Sequence, residues 1–530
     1  MELLRIHILV ESKGQKMQKQ RQISLGVVTA SVLLMSTAVG VAGGDIAPVE
    51  TEAVTIEQIK ADKPKRQMRG NMTLKYNLLP PAVNSLSEMF TEGVFYGRLR
   101  SNSFYWDWDI ENWDAETKKG NKDNENMGVG GSLIFKTGVL NGFSATLSYY
   151  GSVNPEFYRM DKDEVAASKA GKDTFSRYKV ATEGHYGLYA PGENFLQYNN
   201  GTVNVIAGRQ LFESVFTASN DTKMIPNTFD GVSASVKIAP KTKARVAWFG
   251  SQKLRDHEDA HDVITFKDAE GNSWNNNDDA AIHRGLNYDN FTAAGEDVDH
   301  DLIVADVETK MIENLKFTLS YLQVPGVVQD IVAEAHYKVN FDNGWAVRPG
   351  VRYFHQMDDG GGAIAGYTNL TGKEAIGYDA GVVDSLDSSL LAARLDILMP
   401  DKQGFFRFGY SKVDDKADIV APWRGFPTGG FTRAMAQYNW FANTETFMVR
   451  GVYQFTPELK ASLRYAIQDF DDNKKYVLAD TDVWHLDVWY DLTENLQLKG
   501  RVGIVTADPG DTGKADTSYN EFRFEINYLF

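Results

Sequence analysis

Residues 519–530 of the chain read YNEFRFEINYLF, and this stretch decides the fold. An extended strand places successive side chains on opposite faces, so every second residue shares a face. One face carries Phe522, Phe524, Ile526, Tyr528 and Phe530. The other face carries Glu521, Arg523, Glu525 and Asn527. A period of two predicts a β-strand with one apolar face and one polar face.

The same alternation recurs through most of the chain after residue 93, as in the apolar series Leu315, Phe317, Leu319 and Tyr321. From it we predict about eighteen strands, an even number as single-chain bacterial barrels have. The predicted strands are residues 94–106, 128–137, 142–151, 183–190, 202–209, 231–239, 243–251, 302–311, 315–323, 330–340, 345–355, 390–399, 404–413, 445–455, 459–468, 482–491, 495–506 and 519–530.

Alternation alone fits either a soluble sandwich, whose apolar face is its core, or a membrane barrel, whose apolar face meets lipid. The lengths of the connections favour the barrel. Tight turns such as Leu140-Asn141 and Pro457-Glu458 mostly alternate with long polar segments such as 252–301 and 414–444. We therefore predict an all-β fold, a transmembrane antiparallel up-and-down β-barrel with long extracellular loops, short periplasmic turns and both termini in the periplasm.

Composition excludes several other classes of protein. The 530 residues include 55 Lys and Arg against 71 Asp and Glu, a net charge of −16, which disfavours nucleic acid as a partner. The absence of Cys excludes disulfides, thiolate metal sites and cysteine nucleophiles. The mean hydropathy of −0.35 excludes a helical membrane transporter. A barrel is compatible with this value because its apolar residues alternate with polar ones.

The first ninety residues divide into two parts. Residues 1–42 are predicted to be an upstream extension plus a signal peptide, with the start at Met17, basic residues at Lys19 and Arg21, and an apolar run ending in small residues. Residues 43–93 are predicted to be a periplasmic N-terminal segment without strand periodicity, in which Ser85 and Glu88 have the spacing of a helix capping box. Residues 94–530 form the predicted barrel.

Many arginines fall on the polar phase of the predicted strands, so they would point into the lumen. Two interpretations stay open: a basic ladder that guides carboxylates, or bracing of the wall by lumen carboxylates such as Asp396, Glu334, Asp487 and Glu525. The arginines are Arg98, Arg100, Arg245, Arg348, Arg352, Arg394, Arg407, Arg450, Arg464, Arg501 and Arg523.

Several aromatic residues lie near predicted strand ends, where a belt at the membrane interface or ordinary packing would place them. They are Tyr149, Tyr150, Trp106, Trp345, Trp440, Trp484 and Trp489.

The acidic runs Asp256 to Asp262, Asp278-Asp279 and Glu296 to Asp301 are expected to be solvated loops. No motif of a hydrolase, metalloprotease or nucleotide-binding enzyme is present, so we predict no catalytic residues, no metal and no cofactor.

Three segments resemble the OprD-type (Opr family) outer-membrane porins. The first is Gly208-Arg209-Gln210 followed by residues 220–232, NDTKMIPNTFDGV, with Lys223 where the family usually has Arg. The second is residues 421–435, APWRGFPTGGFTRAM, and the third is residues 90–100, FTEGVFYGRLR. The terminal Phe530 also resembles the signal by which the barrel-assembly machinery recognises outer-membrane proteins. Lys223 keeps the charge of Arg but loses its planar fork.

The resemblance implies an eighteen-stranded channel for passive uptake of small hydrophilic solutes. It also implies a constriction formed by the third and seventh loops, which the strand count places at 210–230 and 414–444. The residues expected to line this constriction are Asp221, Lys223, Met224, Phe229, Trp423, Arg424, Phe426 and Arg433. In the family, carboxylate-bearing solutes such as amino acids are led along a basic ladder, and the inward arginines are the counterparts here.

The expected partners are outer-membrane lipid and lipopolysaccharide, the diffusing solutes, the barrel-assembly machinery through Phe530 and, in one assembly state, two further copies in a homotrimer. Two alternatives remain open at this point. One is a structural or adhesive surface barrel with a plugged lumen, and the other is an outer-membrane enzyme of the phospholipase kind.

Overall fold

A computed structural model of the chain describes residues 66–68, 72–76, 80–220, 223–265, 283–364, 372, 374–378, 385–435 and 438–530. The predicted upstream extension and signal peptide at 1–42 lie outside these residues. In the described part, eighteen antiparallel strands close into a single barrel, which confirms the predicted fold class.

We number the barrel strands β1 to β18 in chain order, and each pairs with the strands before and after it. They are Val94–Trp108, Asn124–Lys136, Phe143–Val153, Gly187–Asn199, Val203–Gln210, Thr228–Ala239, Thr242–Lys253, Leu302–Thr309, Leu315–Val324, Val328–Tyr337, Ala346–Asp358, Ser388–Leu398, Gly404–Val413, Glu445–Gln454, Leu459–Asp469, Asp480–Asp491, Leu496–Asp508 and Tyr519–Leu529. Short extra strands are Arg66–Met68, Leu74–Tyr76, Ala82–Val83, Val139–Leu140 and Val339–Asn340.

Helical structure lies in the connections between strands. The α-helices are α1 Leu86–Thr91, α2 Arg177–Glu183 and α3 Tyr288–Ala294. The 3₁₀ turns are Glu156–Tyr158, Val165–Ala167, Lys172–Thr174, Gly361–Ala363 and Pro400–Lys402. Within the described residues, no helix is long and apolar enough to cross a bilayer. The predicted capped helix is confirmed as α1, because the Ser85 side chain accepts a hydrogen bond from the Glu88 amide.

The barrel closes where the last strand pairs with the first. The register runs from Tyr519 opposite Trp108 to Leu529 opposite Arg98. The Gly97 amide donates to the Phe530 carbonyl at 3.0 Å, and the Phe530 amide donates to the Gly97 carbonyl at 3.1 Å. A Cβ at Gly97 would lie 2.6 Å from the Phe530 ring, so only glycine lets the terminal aromatic ring lie across β1.

The two faces of β18 have opposite environments, as the alternation predicts. The apolar series from Phe522 to Tyr528 is exposed on the outside of the barrel, with 48% exposure at Phe524. The charged series from Glu521 to Asn527 points inward and is buried, with 0% exposure at Glu525. Closure of one sheet on itself excludes the soluble sandwich, so the apolar face is the outer surface.

The connections at the two ends of the barrel differ in length. One end of the barrel carries eight short turns, the longest of which is residues 338–345. The first residue of β1 and the last residue of β18 lie at the same end. The other end carries loops such as 154–186, 254–301 and 414–444, with one short exception at 325–327. Left-handed backbone at Asn141, with a φ of 52°, is one example of how the tight turns form. The predicted asymmetry of turns and loops is therefore present.

The predicted strand 183–190 was wrong. Residues 177–183 form α2, which ends at Gly184 in the left-handed conformation, and β4 begins only at Gly187 and runs to Asn199. The alternation misled here because Pro191 and Gly192 lie inside β4, next to a register shift at which β4 has one residue more than β3 between Pro191 and Asn194.

The predicted aromatic belt is only partly on the outside. Tyr149, Trp345 and Trp484 are exposed on the outer surface. Tyr150, Trp106 and Trp440 are buried inside the barrel, and Trp106 stacks on Tyr519 with ring centroids 3.8 Å apart. Trp489 shares the inward phase of β16 with Asp487 and is half-buried. Tyr150, Trp106 and Trp489 face the interior because the phase of a strand decides which face an aromatic side chain takes. Trp440 is buried because it lies in the long loop 414–444.

Placing a charge on the outer surface at mid-height should destabilise the barrel more than placing it near the rim. Phe524 lies at the centre of β18 and Tyr528 near its end. We expect Phe524→Arg to lower the free energy of unfolding by about 2–4 kcal/mol, and Tyr528→Arg by about 0–1 kcal/mol. Urea titration of the protein refolded in lipid vesicles measures both. Equal losses would contradict a lipid-facing outer surface.

Candidate functional site: loops folded into the barrel

Two of the long loops meet inside the barrel. Loop 3 is residues 211–227 and loop 7 is residues 414–444, the third and seventh connections at the long-loop end. The Ala218 amide donates to the Trp423 carbonyl at 3.0 Å, and the Gly425 amide donates to the Phe216 carbonyl at 2.9 Å. A Cβ at Gly425 would lie 2.1 Å from the Phe216 backbone, so glycine is needed for this approach. The two segments that carry the family-like motifs are therefore joined to each other.

An apolar cluster holds these loops against the wall. Trp423 is 1% exposed, and its indole Nε1 donates to the Val263 carbonyl in loop 4 (residues 254–301) at 2.8 Å. Loops 3, 4 and 7 and the loop between β11 and β12 contribute to one cluster with the adjoining wall. Its loop members include Phe212, Phe216, Val263, Leu286, Phe291, Ile364, Leu386, Ile419, Trp423, Phe431 and Trp440. A tryptophan that is both buried and hydrogen-bonded fixes the position of its loop.

Next to this cluster, charged side chains from four loops come together. Arg255 of loop 4 and Asp173 of loop 2 (residues 154–186) form an ion pair at 2.5 Å. Burial alone would raise the pKa of Asp173, but Arg255, Lys223 and Lys172 outweigh it and hold the pKa well below its ordinary value. Arg424 of loop 7 also faces Arg255 and Asp173 and is 1% exposed. Cations outnumber Asp173 at this junction of the described loops.

Lys223 ties loop 3 to the wall of the barrel at β1. Its carbonyl accepts a hydrogen bond from the Asn102 side chain on β1 at 3.1 Å, and its ammonium lies 4.3 Å from the centre of the Phe104 ring. Burial, and then repulsion from Arg523, lowers the pKa of this ammonium well below its ordinary value. Loop 3 thus crosses the bore from β5 to β1.

Arg433 of loop 7 has a different environment from the other cations. Its guanidinium lies 3.4 Å from the centre of the Phe426 ring and 5.7 Å from that of Trp440. Within the described part of the chain no carboxylate lies within ion-pair distance of it, and its Nε has no hydrogen-bond partner. Burial is the main cause that lowers the pKa of Arg433, and Tyr438 opposes it. Arg433 keeps its charge at neutral pH, since a guanidinium loses its proton only at a much higher pH.

The structure places the other residues predicted for the constriction as follows. Met224 is buried with Tyr150 and Leu188 against the wall. Phe229 is the second residue of β6 and is fully buried against Phe249, with ring centroids 5.1 Å apart. Asp221 lies outside the described residues. Lys223, Trp423, Arg424, Phe426 and Arg433 all lie in the loops inside the bore, so the predicted set is only partly brought together.

All eleven predicted arginines point into the barrel, and most make ion pairs with carboxylates of the wall. Asp396 alone accepts from Arg348 at 2.7 Å and from Arg407 at 2.6 Å. The remaining pairs are Arg394 with Asp396, Arg100 with Glu525, Arg245 with Asp306, Arg352 with Glu334, Arg464 and Arg501 with Asp487, and Arg523 with Glu521. Arg98 donates to the Met72 carbonyl and Arg450 to the Ser462 hydroxyl. The four carboxylates named as bracing partners, Asp396, Glu334, Asp487 and Glu525, each form an ion pair with at least one of these arginines.

The sequence did not single out the groups that loops 2 and 4 bring to the site. Asp173, Arg255, Asp256 and His257 are all buried, although residues 256–262 were expected to be solvated. That expectation was wrong at Asp256 and His257, because loop 4 folds inward against loops 3 and 7. Residues 296, 297 and 299 are exposed as expected, and Asp278-Asp279 lie outside the described residues.

Comparison with known proteins identifies the fold. No family model matches the chain, and no curated protein matches it in sequence. Among solved structures, Acinetobacter baumannii OccAB1 is similar with a TM-score of 0.61 and 13% identity over 83% of this chain and 97% of that one. Pseudomonas aeruginosa OpdQ gives a TM-score of 0.56 and 13% identity over 84% and 99%.

A BenF-like porin from Pseudomonas fluorescens Pf-5 gives a TM-score of 0.59 and 14% identity over 83% of this chain and 99% of that one. The chain therefore has the fold of the OprD-type porins. The fold that the sequence resemblance implied is confirmed.

Acid should loosen loop 4 through its two buried histidines. Burial lowers the pKa of His261 to about 4, and burial with the neighbouring His261 and Lys253 lowers that of His257 well below its ordinary value. In the unfolded chain both histidines bind protons below about pH 6.5, whereas in the folded chain His261 does so only near pH 4, so stability falls as pH is lowered through this window.

We expect wild type to lose up to about 3 kcal/mol more than His257→Gln/His261→Gln between pH 7 and pH 4. Denaturant unfolding of detergent-solubilised protein at pH 7, 5.5 and 4 measures this difference. Identical pH profiles for the two proteins would show that the buried histidines do not control loop packing.

Proposed function

We propose that the protein is an outer-membrane porin through which small hydrophilic solutes diffuse passively, with a preference for carboxylate-bearing solutes. The observation that carries the proposal is the position of loops 3 and 7 inside a closed barrel whose inner wall is charged. A fixed channel with charged walls selects solutes by size and electrostatics and performs no chemistry. The fold shared with the BenF-like porin supports the same function.

The outer surface supports the location in an outer membrane. Apolar side chains such as Phe522, Phe524 and Ile526 are exposed there, and lipid would cover them. In this orientation the short turns and both barrel ends face the periplasm, and the long loops meet lipopolysaccharide. Assembly through Phe530 by the barrel-assembly machinery, and a homotrimeric state, belong to the same proposal.

The preference for carboxylates rests on which cations remain available inside the barrel. A guanidinium already bound to a wall carboxylate has less capacity to bind a passing anion. Arg348 and Arg407 share Asp396 in this way, so they support the bracing interpretation rather than the ladder. Arg433 has an aromatic support instead of a carboxylate among the described residues, so we assign it the main attraction for carboxylates.

A second candidate is a structural surface barrel with a plugged lumen. The apolar cluster around Trp423 and Phe431 favours it, because loops 3, 4 and 7 fill part of the bore with packed side chains. Single-channel recording separates the two candidates, since a plugged barrel passes no current.

Removing the charge of Arg433 should shift ion selectivity toward cations. One elementary charge about 4 Å away in water attracts a passing anion by about 1 kcal/mol and repels a passing cation by about 1 kcal/mol. Arg433→Ala should therefore lower the anion-to-cation permeability ratio by up to roughly 25-fold. Arg433→Lys keeps the charge and should change the ratio much less. Reversal potentials in planar bilayers under a salt gradient give the ratio.

Lys310→Ala is the matched control, because it removes one charge from an exposed turn outside the bore. An unchanged reversal potential for Arg433→Ala would exclude Arg433 as the anion-attracting group. The absence of current from every variant would exclude the porin function itself.

A further inference from the structure

A small hairpin precedes the barrel in sequence and lies inside it. Arg66–Met68 and Leu74–Tyr76 pair antiparallel, with Gln67 opposite Lys75. The sequence offered no strand periodicity here and predicted a plain N-terminal segment. The hairpin is therefore a feature that only the fold reveals.

The contacts of the hairpin place it at the short-turn end of the bore. Leu74 is buried in one cluster with Tyr96 of β1, Ile134 of β2 and Leu529 of β18. All three wall residues are on the inward phase, and Ile134 is 0% exposed. Each lies within a few residues of the strand end that faces the short turns. The hairpin thus covers the inner wall at the seam where the barrel closes.

A few specific contacts hold the hairpin there. Arg98 on β1 donates to the Met72 carbonyl at 2.7 Å and reaches the Met68 sulfur at 3.5 Å. Tyr76 stacks on Tyr96 with ring centroids 5.1 Å apart. The hairpin strands have three residues each, which is too short to be stable apart from the wall.

We propose that the two paired strands, Arg66–Met68 and Leu74–Tyr76, are a gate seated in the periplasmic mouth of the channel, closed when they lie on the wall and open when they leave. This inference rests on the proposed porin function. Segments held by few apolar contacts open locally without unfolding the whole protein, so the hairpin can leave while the barrel stays intact. The gate also carries a charge, since the Arg66 guanidinium lies 5.3 Å from the centre of the Tyr76 ring.

The test uses the full-length chain and its lack of native cysteine. Ile134→Cys places a single thiol beneath the hairpin, and its rate of reaction with a soluble maleimide reports how often the hairpin leaves. The releasing variant is Leu74→Ser/Tyr76→Ala, which removes the apolar contacts to the wall. The control is Gln67→Ala, which changes an exposed residue of the same hairpin.

We expect the releasing variant to increase the maleimide rate at least about tenfold and the single-channel conductance roughly twofold, while the control changes neither. A second reporter, Leu529→Cys, should give the same increase, which guards against a local effect of the Ile134→Cys substitution. Retention of heat-modifiable mobility shows that the barrel is folded in each variant.

Two results would overturn the gate. Equal maleimide rates in the released and control proteins would show that the hairpin does not cover the wall. A faster rate with unchanged conductance would show that the hairpin does not restrict passage. If no variant conducts while the maleimide rates still differ, the porin function fails instead, so the two failures are distinguishable.

Discussion

The main-chain pairing of β18 with β1 is the interaction on which the rest of the structure depends. A bilayer offers no hydrogen-bond partners to a strand edge, so an open sheet of this length could not remain in lipid. Closure sets the phase of every strand, and the phase decides that Phe524 faces outward and Glu525 inward. The charged bore and the loops within it follow from this one constraint.

Along the inner wall of the barrel, most arginines are paired with carboxylates. In the described loops inside the bore, fewer cations have such a partner. A buried arginine is stabilised when a carboxylate accepts hydrogen bonds from its guanidinium, and loss of one partner of such a pair costs about 3–5 kcal/mol. Asp396 with its three arginines is the clearest example. These pairs make the wall rigid, whereas loop 7 presents Arg433 on an aromatic support. In the proposed channel, rigidity would therefore reside in the wall and ion selectivity in loop 7.

The sequence predicted the wall well because strand alternation is a local property that each segment carries by itself. It predicted the site less well because contacts between loops depend on chain segments far apart. The ion pair between Asp173 and Arg255 has no local signal, and loop 4 looked like an acidic, solvated segment. The strand at 183–190 was misplaced because Pro191 and Gly192 look like a turn. The sequence did not predict the paired strands Arg66–Met68 and Leu74–Tyr76, because three-residue strands are too short to show a period of two.

The shared packing of the loops also constrains how this surface can change over generations. A substitution at Trp423 or Val263 disturbs several loops at once, since one apolar cluster joins them. Residues 109–123 are mostly exposed, residues 510–513 are exposed, and neither segment belongs to this cluster. Exposed loops tolerate replacement far better than packed ones. Sequence differences between related proteins are therefore expected to accumulate in those two segments, while the loops packed inside the barrel change slowly.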